Sequence, residues 1–362
     1  MKQHLLSLWK SLGFADVKIT KPLPTGEGVI DEGGFSALEI EHLFTATNHA
    51  DTIIGQSVLF RSLVQPLENL HDVEIKQRAV EELRNNLPLR EAIQTLVSEA
   101  ATQEKSFYQL LFGEFLPMFG TARNEMQIEG YGYLQYRRGI RFFTDLVENS
   151  QRIAQPENSY LLELVEHIRA FAGSRAYSLM TNAVYLTETT LQTKQERRKS
   201  WWLPAIVFHP RLFKPLFAVL FLALLVALFT FLPSVVPQAI LGSPLLLIYL
   251  PIVGGFDRDH FIIPLRDTFK ESPEIASTLD ALGQLDELLS IIKFSDSFAH
   301  ETVLPTLIES EQHRIVLNGA VNPILGKDNA NYVGNDLSLD HEKLLLSALP
   351  IRFFIKLQKL AV

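Results

Sequence analysis

From Pro215 to Phe256 the chain carries no charged residue. Any fold must place this block out of water. Leu216 to Leu232 is almost wholly Leu, Phe, Ala and Val. A hydrocarbon core about 30 Å thick takes about 20 apolar residues of helix, and this half with its flanks is long enough. Val235 to Phe256 can form a second span if Pro237, Gly242, Pro244 and Pro251 are accommodated, as breakers are when neighbours satisfy the freed backbone groups. Pro233, Ser234 and Pro237 mark the turn between the two. Arg197, Arg198 and Lys199, then Trp201 and Trp202, then Arg211 and Lys214 precede the block; Asp257, Arg258 and Asp259 follow it. Basic flanks and interfacial tryptophans mark a cytoplasmic membrane face. The block therefore predicts a two-span transmembrane hairpin, a membrane location, and both polar segments on the cytoplasmic side. A buried core hairpin and a single span with a re-entrant segment stay open as alternatives.

Around the block the pattern is helical. Leu5, Leu6, Leu8, Trp9 and Leu12 share one face of a short N-terminal helix, followed by a Pro- and Gly-rich connector up to residue 34. The spacing of Gly26, Gly28, Gly33 and Gly34 fits no phosphate-binding fingerprint. From Phe35 to Arg198 apolar residues recur at steps of three and four, with few strand signals. Ser272-Pro273-Glu274 opens a further helix, on which Leu279, Leu282, Leu285, Leu289 and Ile292 form one stripe. Beyond His313 short apolar runs, HRIVLNGAVNPIL and KLLLSAL, read as strands. The expected fold is mainly α: a long-helix bundle interrupted by the hairpin, with a short β-containing C-terminal fragment. The segments are 1–34 (helix and linker), 35–200 (helical core), 201–260 (hairpin and flanks), 261–312 (second helical segment) and 313–362 (β-containing start of a further domain).

The formal net charge is −8, which gives no overall electrostatic attraction to nucleic-acid phosphates. The clusters ERRKS and RLFK read more simply as positive-inside determinants than as a DNA patch. With no cysteine there is neither a disulfide framework nor a thiolate metal site. The 10 histidines are scattered without metal-binding spacing. Asp257-Arg258-Asp259-His260 reads as a solvated exit from the membrane, and no nucleophile elbow or other catalytic constellation emerges.

Two stretches resemble the MutS family of mismatch-repair ATPases. One runs from Leu38-Glu39-Ile40 to Leu83, above all Gly55-Gln56-Ser57-Val58-Leu59-Phe60-Arg61, Gln65-Pro66-Leu67 and Ile75-Lys76-Gln77-Arg78-Ala79-Val80-Glu81-Glu82-Leu83. In that family such a run opens the helical core. The other, Leu282-Gly283-Gln284-Leu285-Asp286-Glu287-Leu288-Leu289-Ser290, is similar to the lever helix that leads back to the ATPase domain. Asn322-Pro323-Ile324-Leu325, Tyr332-Val333-Gly334-Asn335-Asp336 and Leu344-Leu345-Leu346 resemble the beginning of that domain.

The resemblance implies a dimeric, DNA-associated, mismatch-binding protein using ATP and Mg²⁺, with Tyr332 stacking on adenine and Asn335 beside it. Without a phosphate loop, an aromatic packed in a loop is the plainer account of Tyr332. The departures matter as much. After Leu346 the chain reads Ser347-Ala348-Leu349-Pro350-Ile351-Arg352, and no G-x-x-x-x-G-K-[ST] occurs; Gly326-Lys327 is followed by Asp328. The expectation is a truncated product, with a change of reading frame near Ser347, that does not hydrolyse ATP. The family's N-terminal Phe-x-Glu mismatch wedge has no counterpart; Phe112-Gly113-Glu114 matches its letters mid-chain. The apolar block stands where the family inserts its DNA clamp. A membrane-bound helical scaffold with no DNA role is the alternative.

Overall fold

The computed structural model describes residues 34–35, 38–117, 120–124, 126–187, 190–196, 206–211, isolated positions between 219 and 230, and 244–298, 301–310, 314–326 and 332–340. These divide into two compact units, the first of Met1–Ala101, Asn149–Ile168 and Ala276–Val362, the second of Thr102–Glu148 and Arg169–Ile275. The N-terminal helix around Leu5–Leu12 lies outside the described residues.

The helices of the first unit are α1 (Ile40–Thr47), α2 (Ile53–Val64), α3 (Leu70–Asn85), the start of α4 (Leu87–Phe112), the end of α5 (Tyr133–Ser150), most of α6 (Ser159–Ala170) and most of α10 (Pro273–Asp296). Short polar side chains start them, as helix N-termini require. Thr52 Oγ1 accepts from Gly55 N at 2.8 Å. Asn86 Oδ1 accepts from Leu89 N at 3.2 Å, so α3 stops and α4 starts over one residue, with Pro88 in the first turn. Asn158 Oδ1 accepts from Tyr160 N and Leu161 N, while the Glu82 carboxylate takes the Glu157 and Asn158 amides. Phe35, Ile40, Phe44, Leu59, Phe60 and Val64 form one apolar cluster over α1 and α2. β6 (Arg314–Ala320) and β7 (Asn335–Asp340) pair antiparallel, Ile315 opposite Leu339 and Leu317 opposite Leu337. The expected strand at HRIVLNGA is β6. The expected strand at Leu344–Leu346 lies outside the described residues.

The second unit is organised by aromatic packing. Phe107 of α4 meets Phe142 and Phe143 of α5 at ring distances of 5.7 and 4.8 Å. Phe143 packs on Phe171, in a 3₁₀ turn at Phe171–Gly173. The helical pattern expected as far as Arg198 ends, among the described residues, at Thr181. A short α7 (Arg175–Thr181) is followed by an antiparallel sheet of order β4-β3-β5, with β3 Val184–Thr187, β4 Thr190–Gln192 and β5 Ile206–Phe208. The run Val-Tyr-Leu-Thr is rich in β-branched and aromatic residues that fit a pleated surface better than a helix. A shorter parallel pair joins β1 (Glu114–Phe115) to β2 (Gln127–Ile128).

The two-span transmembrane hairpin is corrected here, and with it the membrane location. Among the described residues no helix is long and apolar enough to cross a membrane. The proposed first span, Leu216–Leu232, lies outside the described residues apart from isolated positions. Of the proposed second span, Val235–Phe256, the part before Pro244 lies outside the described residues and the rest falls in α8 (Pro244–Asp257), 14 residues or about 21 Å of helix. It continues through a π-turn at Arg258–Ile262 into α9 (Ile263–Glu271). Phe261, Ile262, Leu265 and Phe269 are buried there in protein. Phe208 stacks on Phe261 at 4.9 Å, and Tyr136 meets Phe208 edge-on at 5.3 Å. Asp257 is wholly buried and accepts from Tyr133 Oη at 2.6 Å. Gly254 lies against the ring of Tyr131, so close that an added Cβ would stand 2.4 Å from it. What a hydropathy scan reads as the end of a lipid-facing span is the inner side of an aromatic core. Phe261→Ala should therefore cost about 3–5 kcal/mol of stability, as truncation of a buried aromatic does; the urea midpoint measures it, and an unchanged midpoint would contradict this packing.

Candidate functional site

The chemistry-bearing side chains of the first unit converge on α10. Apolar residues of α10 pack inward, yet Asp286 and Glu287 are as buried as the leucines beside them, at 0% and 1% exposure. Isolated buried carboxylates are costly, so each needs donors. Asp286 has three. Thr52 N and Thr52 Oγ1 donate to its Oδ2 at 2.7 and 2.6 Å, and Asp51 N donates to its Oδ1 at 3.1 Å. The carboxylate thereby also occupies the positive end of the α2 dipole. Glu287 is paired with Lys76 of α3, Nζ to Oε2 at 2.8 Å.

Two glycines make this approach possible. A Cβ on Gly55 would stand 2.1 Å from Asp286 Oδ2. A Cβ on Gly283 would meet Val58 Cγ2 at 2.6 Å and the Ile54 carbonyl oxygen at 3.0 Å. α2 and α10 thus meet at near backbone contact where the two stretches that carry the resemblance cross.

Polar partners extend the seam in both directions. Arg61 faces Asp280 as an ion pair at 2.7 Å. Gln284 Nε2 donates to Asp280 Oδ2 at 2.7 Å and its Oε1 accepts from Tyr160 Oη at 2.6 Å. Ser290 Oγ accepts from His49 N at 2.9 Å and donates to the Thr47 carbonyl at 3.1 Å. Lys293 pairs with Asp51 at 2.7 Å and Arg90 with Asp296 at 2.9 Å. Burial pushes the Asp286 carboxyl up to about 6, against the pull of the Thr52 and Asp51 donors. Burial likewise raises the Tyr160 hydroxyl, aided by the negative charges of Glu287 and Asp280.

Chemically this is a clamp. Asp286 is fully buried and its three donors all come from the protein. Among the described residues no group of three or more His, Asp or Glu could hold a metal ion.

Tyr332 precedes β7 by three residues and Asn335 is its first residue. Tyr332 is half-buried just before β7, its Cδ1 3.5 Å from where a Cβ on Gly326 would stand. Asn335 opens β7 opposite Ala320. Beside them Asn322 Oδ1 accepts from Ile324 N and Leu325 N and closes a turn. Lys327 lies outside the described residues. Tyr332 and Asn335, which the resemblance would place beside adenine, thus lie three residues apart at the entry to β7.

Asp257-Arg258-Asp259-His260, expected at a membrane exit, spans the last residue of α8 and the start of the π-turn. Arg258 pairs with Asp259 at 2.7 Å, and His260 stacks on Phe256 at 4.3 Å. Phe112-Gly113-Glu114 is the junction of α4 and β1, where the Gly113 carbonyl accepts from Arg266 at 3.1 Å. Sequence reasoning did not single out Thr52, Asp280 or the burial of Asp286 and Glu287. The available signal was a pair of acids on a helix otherwise packed with leucine.

No protein-family model and no curated protein matches this chain.

Two outcomes follow from the seam. Lys76→Met strands the Glu287 charge and should cost about 3–5 kcal/mol; adding Glu287→Gln should restore most of it, as a double-mutant cycle by denaturation would read. The raised Asp286 pKa favours the protonated form in the folded state. Its contribution is therefore full below the ordinary value of 3.8 and is lost as pH rises through about 6. Urea midpoints across that window should fall with rising pH more steeply for the native chain than for Asp286→Asn.

Proposed function

We propose that the chain is the core-and-lever body of a MutS-like protein related to DNA mismatch repair, which associates with DNA and does not itself hydrolyse ATP. The observation that supports this reading is the crossing at Gly55, Gly283 and Asp286. The two stretches similar to the family's core and lever, distant in sequence, are built to fit one another there. A helical core that clamps a long lever is suited to holding and orienting, and the closed seam offers no site for turnover. Pairing with a second copy belongs to the same reading. ATP and Mg²⁺ enter it by resemblance only, through Tyr332 and Asn335.

The test is a mobility-shift assay of the full chain with matched and mismatched duplexes at about 50 mM salt and upward. Retention of duplex that weakens with salt, stronger for the mismatch, is the expected outcome. Unaltered duplex mobility at the lowest salt would refute the DNA association.

A further inference from the structure

Within the second unit an open groove of about 900 Å³ lies between the end of α4, the loop from Gly120 to Gly130 and the first turns of α5. Its walls are polar and already organised. Gln135 Nε2 donates to Gln109 Oε1 at 3.0 Å, and Gln109 Nε2 donates to the Gln127 carbonyl at 3.1 Å. The loop is closed on itself: Arg123 N donates to Gln127 Oε1 at 2.7 Å, and Ala122 N donates to Glu129 Oε1 at 2.7 Å. This fixes the backbone that carries Arg123 at one wall, while Arg138 of α5 stands at another.

Both arginines are exposed, and among the described residues neither is in an ion pair. A guanidinium has five N–H donors and no acceptor. Among the described residues lining the groove the one carboxylate is Glu129, which accepts from Ala122 N. Among the described residues that line the groove the two guanidiniums outnumber the one carboxylate and donors are in excess, on a chain whose net charge is −8. The positive row continues beyond the groove. Arg137 and Arg141 share with Leu134 and Arg138 the exposed face of α5, opposite buried Tyr136, Phe142, Phe143 and Leu146. Neither of these two arginines is in an ion pair among the described residues either. A row of unneutralised guanidiniums fits an anion that repeats. Leu134, 47% exposed, offers an apolar surface between them, and the amides can meet base edges.

We infer that this groove and the arginine face of α5 bind a nucleic-acid strand, through its phosphates and without strong sequence preference. The inference rests on the DNA-associated reading above and adds where the strand lies.

The test uses the full chain and a labelled oligothymidylate, with anisotropy titrations from about 50 to 200 mM salt. Two double variants are compared with the native chain: Arg123→Ala with Arg138→Ala, and Arg137→Ala with Arg141→Ala. All four side chains are exposed, so circular dichroism should be unchanged. Each arginine that meets a phosphate should lower the slope of log affinity against log salt by about 0.7. The groove variant should therefore lose about 1.4 from the slope and bind more weakly at every salt. Native binding with an unchanged slope in both variants would overturn the groove and leave the DNA reading standing. No binding of oligonucleotide or duplex by the native chain would overturn both. Arginine-dependent capture of anionic vesicles or a phosphopeptide, with the oligonucleotide unbound, would overturn the nucleic-acid assignment.

Discussion

A carboxylate taken out of water is the constraint around which the first unit is built. Asp286 has no exposure, and desolvation alone would forbid its charge. It is tolerated because it serves as the N-terminal partner of α2, where backbone N–H groups and the Thr52 hydroxyl converge. That arrangement demands bare backbone on both helices, which Gly55 and Gly283 provide. Once α2 and α10 meet so closely, the longer side chains around the crossing fall into place. Arg61 reaches Asp280 and Lys76 reaches Glu287. A buried ion pair of this kind contributes little net stability but strongly penalises any arrangement that separates its members. The seam therefore acts more on which packing is adopted than on how stable it is.

The second unit solves a different problem. Its core holds Phe107, Phe142, Phe143, Phe171, Phe208 and Phe261, and the segment most like a membrane span by composition ends within that core. Lipid and an aromatic interior are both apolar, and hydropathy does not separate them. Length and neighbours do. α8 is too short to cross a bilayer, and its last residue, Asp257, is held by Tyr133. The π-turn that follows widens the helix by one residue per turn, a distortion tolerated where packing holds it.

Much of the first unit was legible in the sequence because local rules and tertiary packing agree there. The start at Ser272-Pro273 and the leucine stripe of α10 follow from caps and periodicity. β3 and β4 were missed because Thr and Tyr runs also suit a helix flank, and only pairing with β5 decides for strand. The seam was only half visible. Arg61 stands in a run that the sequence singled out, but nothing local says that a distant aspartate will meet it. Arg123 and Arg138 come from a loop and a helix, and only the fold places them on one groove.

The crossing at Gly283 has a consequence for how α10 can change over time. A straight helix turns about 100° for each residue added. A single-residue insertion between Gly283 and Asp286 would swing every later side chain to a different azimuth, taking the carboxylate from Thr52, Glu287 from Lys76 and Ser290 from His49 at once. Point changes along this helix are felt one partner at a time, whereas a length change dephases the whole row. Substitutions should thus accumulate in α10 while its residue count between Ser272 and Asp296 stays frozen.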